Sequence, residues 1–297
     1  MLRIPVLFQR AMFRAMDHDA LNIAQSAAYS GMVALFPALI VASAVVGLLP
    51  TTAPVRYELA VFFDRVLPSD VSPLLASYFS VTQHTATSGR ALVLSVLVSV
   101  SGASGVIATF MEGVRRAYDL PADCWSFWQR RRRAIALVPM SLIPMGLASI
   151  LVVFGHYLSL WLAMHSMPQV RTLVYGIALL IRWTVSLTGS VGLIALLYHL
   201  GTPMRQTWRR TLPGAVLATL MWFAATLVFG WYVTRFANYS RVYGSLGAGI
   251  ALLFWLYLIS LSVLYGAEFN AQIAGFREIG SEGGGAVCEV SPGKGLP

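Results

Sequence analysis

The residue with the most demanding placement in this sequence is Arg182. It interrupts an otherwise charge-free stretch running from Thr172 to Met204. Counted from the Thr172 end, it lies about 15 Å along a helix, near the middle of a bilayer. An ionisable group at that depth is expensive, and by default it marks a functional site. A guanidinium could grip an anionic group there with its planar fork, and the Tyr29 and Ser30 hydroxyls could complete a substrate-binding set. An anchoring role, with Arg182 bonded to backbone carbonyls, is the equal alternative. Glu268 and Asn270 form a second polar point near the far end of the last apolar stretch. Measured from Leu246, Glu268 lies about 33 Å along its helix, roughly 18 Å from the depth of Arg182, so the two are not expected to pair. Glu268 and Asn270 are instead expected at an inner mouth with Arg115, Arg205, Arg209 and Arg210.

Hydrolytic and metal chemistry find little support. His18, His84, His156, His165 and His199 share no ligand spacing, and Cys124 and Cys288 form no CxxC pair. No nucleophile and base are suitably arranged, and no phosphate-binding loop is present. The expectation is therefore a protein that is not an enzyme, with no catalytic residues, no metal and no cofactor. Trp125, Phe127 and Trp128, with the arginines between Arg115 and Arg133, could pass for a base-stacking nucleic-acid patch. They read better as a juxtamembrane belt on anionic headgroups. Membrane lipids are thus the expected partner, nucleic acid is not, and the oligomeric state stays open.

The elements that must position these residues follow from composition. Of 297 residues, 57% are apolar and 11% charged, and the mean hydropathy is +0.70. That balance predicts an all-α polytopic membrane bundle. Six spans are expected near 24–49, 91–111, 135–158, 172–199, 212–234 and 246–272, within a membrane domain covering 21–275. Basic residues are retained on the cytoplasmic side. With the amino terminus inside, 14 of the 21 Lys and Arg residues fall on that face. Both termini are therefore expected in the cytoplasm. Residues 1–20 predict an interfacial helix, with Leu7, Phe8, Ala11, Met12 and Ala15 recurring at helical spacing. The outer loop from Pro50 to Arg90 carries two amphipathic stripes, and the glycine-rich tail, 276–297, predicts disorder.

Small residues recur where helices could approach closely: Ser99 to Gly105, Gly214 with Ala218, and Gly244, Gly247 and Gly249. Pro37 and Pro144 predict kinks. Four blocks then carry a resemblance: AAYSGMVALFP (Ala27–Pro37), PGAVLATLMW (Pro213–Trp222), NYSRVYGS (Asn238–Ser245) and LYLISLSVLYGAEFNA (Leu256–Ala271). Together the chain resembles the BrkB/YihY-like membrane family, often labelled ribonuclease BN, over roughly residues 15–275. The resemblance implies a six-helix bacterial inner-membrane protein linked to envelope integrity and to lipid or lipopolysaccharide handling. One departure is Arg115 in VRRAY, where many relatives carry Asn. The expected function is a transporter or flippase for a lipid or other anionic envelope-related substrate, not a ribonuclease. The alternative is a non-transporting scaffold for envelope assembly or integrity.

Overall fold

The computed structural model describes residues 3–47, 89–142, 171–204, 206–236 and 245–278. Among these residues every regular element is helical. The helices are α1 (Arg3–Asp17), α2 (Ala20–Gly47), α3 (Gly89–Ala117), α4 (127–142), α5 (Arg171–Leu200), α6 (Trp208–Phe236) and α7 (Ser245–Glu278). Four of them contain stretches long and apolar enough to cross a membrane: Val93–Ala117, Thr172–Leu200, Trp208–Val233 and Gly249–Gly275. These coincide with four of the six expected spans. The span expected at 24–49 falls on α2, and the one at 135–158 begins in α4 and leaves the described residues after 142. The expected helices of the first outer loop also lie outside the described residues, as does the tail beyond Glu278.

At 34 residues, α7 is the longest of the described helices and the centre of the bundle, packed on α1, α2, α3 and α6. α2 lies along α3, and α5 leans on α6. Burial is concentrated at one end. There Val114, Ala195, Tyr198, Ala215, Ala218, Val263 and Ala267 form a core, and Ala11, Ala15 and Ala24 pack with Leu264 and Tyr265 in a second. Toward the other end, large apolar side chains such as Leu180, Val228 and Phe254 are exposed. In lipid such a surface carries no hydrophobic penalty, so helices there need not pack on one another.

Small residues let the backbones meet where packing is tight. An added Cβ on Gly266 would lie 2.5 Å from the Gly214 carbonyl oxygen and 2.7 Å from Ala218 Cβ. Gly102 likewise faces Ala34, whose Cβ would be 2.7 Å from its own. Gly105, by contrast, has nothing within 4 Å.

Two helix ends explain how the charged end is built. Asp19 after α1 and Asp119 after α3 both adopt left-handed backbone, with φ of 58° and 52°. At the second, the N–H groups of Asp119 and Leu120 donate to the carbonyls of Arg116 and Arg115 at 2.9 and 3.1 Å, which is a complete Schellman stop. Glycine is the usual residue there. Aspartate tolerates the conformation and brings a carboxylate with it.

Candidate functional site

The two stop-position aspartates exchange partners between α1 and α3. Asp19 accepts from Arg116 Nη1 at 3.1 Å, while Asp119 pairs with Arg14 at 3.6 Å and contacts His18 Nε2 at 3.1 Å. The other ring nitrogen of His18, Nδ1, is 2.7 Å from Glu268 Oε1. The imidazole thus bridges a carboxylate at the end of α3 and one within α7. Glu268 is 2% exposed, and its second oxygen, Oε2, is buried with no hydrogen-bond partner. A carboxylate so placed keeps half its acceptor capacity unused at a desolvated position.

Beside it, Asn270 ties α7 to the first turns of α6. Its Oδ1 accepts from Gly214 N–H at 2.6 Å and its Nδ2 donates to the Thr211 carbonyl at 2.9 Å. The Tyr198 hydroxyl donates to the Val263 carbonyl, locking α5 to α7. Just beyond the α3 span, the Tyr118 hydroxyl donates to Gln206 Oε1 at 3.3 Å. Burial pushes that hydroxyl up to about 12, with the nearby Glu268 charge adding to the rise, so it stays protonated and keeps donating.

A second cluster centres on Glu112. Its carboxylate accepts from Arg115 Nη2 at 2.6 Å and Nε at 3.0 Å, from Arg116 Nε at 3.2 Å, and from Arg130 Nη1 at 3.0 Å. Arg115 also donates to the Leu120 carbonyl. Glu112, Arg116 and Arg130 border an open cleft of about 430 Å³ between α2, α3 and α4. Next to it Arg133 lies over the Trp125 ring at 4.3 Å, while Phe127 and Trp128 are exposed.

Of the expected inner-mouth residues, Glu268, Asn270 and Arg115 engage through different pairs from those anticipated. Glu268 meets His18 rather than an arginine, Arg115 serves Glu112, and Asn270 serves the α6 backbone. Arg209 and Arg210 are exposed at the start of α6, and Arg205 lies outside the described residues. Arg182 is on α5, whereas Tyr29 is exposed and Ser30 half-buried on α2. α2 packs chiefly on α1, α3 and α7, and α5 chiefly on α6, while the Arg182 side chain lies outside the described ones.

Sequence reasoning missed His18, Asp19, Glu112 and Asp119. Two signals were available. Glu112 precedes Arg115 and Arg116 by three and four residues, the spacing of helical ion pairs. Asp-His-Asp at 17–19 stops an amphipathic helix.

Comparison with known proteins places the chain in a family. The family model described as virulence factor BrkB matches residues 11–284. A Bacillus subtilis protein described as ribonuclease-like, YfkH, is 27% identical over 256 residues, covering 86% of this chain and 90% of that one. A membrane protein of Tolumonas auensis, of the group designated UPF0761, is 28% identical over 90% of this chain and 85% of its own length. Another of that group, from Ralstonia nicotianae, is 25% identical over 91% of this chain and 59% of its own length. No solved structure matches.

Proposed function

The chain belongs to the BrkB family, and on that premise we propose that it is a multi-pass transporter or flippase for a lipid or another anionic, envelope-related substrate. In this reading six helices cross a bacterial inner membrane, with α2 and the helix begun by α4 joining the four apolar spans, and both termini face the cytoplasm. The gathering of Arg14, Arg115, Arg116 and Arg130 at one end of the bundle supports that orientation, since basic residues favour the cytoplasmic side.

The observation that carries the reading is Glu268. It is a buried carboxylate within a membrane-length apolar helix, half-satisfied and linked through His18 to the ends of α1 and α3. An ionisable group so placed is expensive unless it is used. Breaking the His18–Glu268 contact would remove the polar link between α7 and the ends of α1 and α3, leaving the apolar packing of Ala11 and Ala15 on Leu264 and Tyr265, and in this reading the pair is the gate at this end. Arg182 is the residue assigned to the anionic part of the substrate.

The test is movement of fluorescent phospholipids across the membrane of proteoliposomes. Wild type should move an anionic lipid, and Glu268→Gln and Arg182→Met should each be impaired while remaining folded. Arg182→Lys should keep the charge yet lose the bidentate grip and so also be impaired. Full movement by both Glu268→Gln and Arg182→Met would overturn the reading. The alternative, a scaffold for envelope assembly, draws on the backbone contact between Gly214 and Gly266, a geometry suited to a fixed bundle. It predicts no lipid movement by a protein that still restores an envelope phenotype. Ribonuclease activity is not part of the proposal. Among the described residues no group of three or more His, Cys, Asp or Glu side chains is arranged to hold a metal ion.

A further inference from the structure

The cleft between α2, α3 and α4 is a different place from the His18–Glu268 pair. Its lining holds Arg116 and Arg130 with Asp19 and Glu112, and Arg115, set behind the lining, also draws on Glu112. Among the described residues the carboxylates paired with Arg115, Arg116 and Arg130 are those of Glu112 and Asp19, so this network as a whole carries one positive charge in excess. The three arginines are also unequally occupied. Arg115 spends Nε and Nη2 on Glu112 and Nη1 on the Leu120 carbonyl, so it holds the cleft wall together. Arg116 uses Nε and Nη1, and Arg130 uses Nη1 alone. Their remaining donors, Nη2 of Arg116 and Nε and Nη2 of Arg130, have no acceptor among the described residues. Both side chains are more than one-third exposed.

Depth narrows what could fill the cleft. Glu112 lies five residues from the Ala117 end of its apolar span, and Arg116 lies one residue from it. By helical rise these are within about 8 Å of the span's end, the level of lipid headgroups. Exposed Phe127 and Trp128 on α4 mark the same level, as interfacial aromatics do. A volume of about 430 Å³ is within the range of small-ligand sites. Asn22 and Ser26, one turn apart on α2, line the cleft as exposed polar groups.

We propose that this cleft binds a singly charged, hydroxyl-bearing phosphodiester headgroup, with Arg130 and Arg116 on the phosphate and Asn22 and Ser26 on the headgroup hydroxyls. One phosphodiester neutralises the excess charge. A zwitterionic headgroup would leave it uncompensated, because Asp19 is already engaged by Arg116. The proposal rests on the transport reading only for what the bound headgroup is for. Binding itself is measured without transport.

The experiment uses the full chain, purified in detergent and titrated with phosphatidylglycerol, phosphatidylethanolamine, glycerol phosphate diester or inorganic phosphate, with thermal protection and native mass spectrometry as readouts. Phosphatidylglycerol should bind several-fold more tightly than phosphatidylethanolamine. Arg130→Gln should lower that affinity about tenfold, the loss of one charge-assisted contact. Arg130→Lys should recover only part of it, because the fork is lost. Arg132→Gln, which removes an equal charge from α4 outside the cleft, should leave affinity unchanged. Protection by the soluble diester with the same dependence on Arg130 supports the site and makes its source the aqueous phase. Equal binding of the two lipids, or equal effects of Arg130→Gln and Arg132→Gln, overturns the proposal. Lipid movement by a wild-type protein that binds the two lipids equally overturns the cleft and leaves the transport reading standing. Selective binding without any movement does the reverse.

Discussion

Adding one carbon at Gly266 should separate two helices that now touch through their backbones. An alanine Cβ there would lie 2.5 Å from the Gly214 carbonyl oxygen, 2.6 Å from the Tyr198 hydroxyl and 2.7 Å from Ala218 Cβ. A carbon and a carbonyl oxygen rest at about 3.3–3.6 Å, so α6 and α7 must part by roughly 1 Å. A gap of that size forfeits a quarter to a half of the dispersion along the seam. It also stretches the 2.6 Å bond from Gly214 N–H to Asn270. Overpacking of this kind costs about 1–3 kcal/mol, and the lost bond places Gly266→Ala at the upper end. Gly105→Ala is the internal control. Nothing lies within 4 Å of the new Cβ, so only the better helix propensity remains, up to about 1 kcal/mol in favour. The two alanines should therefore differ by about 3 kcal/mol, or at least 6 °C at roughly 2–4 °C per kcal/mol. The measurement is thermal unfolding of both variants in detergent, followed by size-exclusion of the soluble fraction. If Gly266→Ala melts no lower than Gly105→Ala, the α6–α7 backbone contact is not as described.

Other outcomes follow from the same geometry. Asp119→Gly and Asp119→Ala both remove the carboxylate, but only alanine is strained at a φ of 52°, so the glycine variant should be more stable by about 1–2 kcal/mol on denaturation. His18→Ala removes the only partner Glu268 has among the described residues and should destabilise the protein by about 3–5 kcal/mol, whereas His18→Leu with Glu268→Leu should recover most of the loss; a His18→Ala protein that melts like wild type would refute the pairing. A reporter active only outside the cytoplasm should work when fused after Arg65, Met167 or Asn238 and fail after Arg131, Arg205 or Arg277, and a working fusion after Arg131 would reverse the topology. Purified protein should leave RNA intact with or without divalent metal, and activity abolished by a point substitution in this chain would contradict that.

The sequence by itself determined the class of the molecule. Charge-free stretches of about 20 residues can be satisfied only as membrane helices, because lipid offers no hydrogen-bond partner to an open backbone. α3, α5, α6 and α7 accordingly appear where the apolar stretches put them. The four quoted blocks pointed to the family that the match over residues 11–284 establishes. The contact of Gly214 and Ala218 with Gly266 was foreshadowed by small-residue spacing, although nothing in that spacing told Gly102, pressed on Ala34, from Gly105, which faces open space. The tertiary structure alone decided the pairing of charges. Glu268 was readable as an acid at the inner end of its apolar helix, but its partner, His18, is 250 residues away in the chain, and sequence carries no record of which loops a bundle folds together. The two aspartates show the reason most plainly. Nothing in the sequence singles out Asp19 or Asp119 as a tie between helices, and only the left-handed turn at each helix end swings its carboxylate onto the helix that the other one terminates.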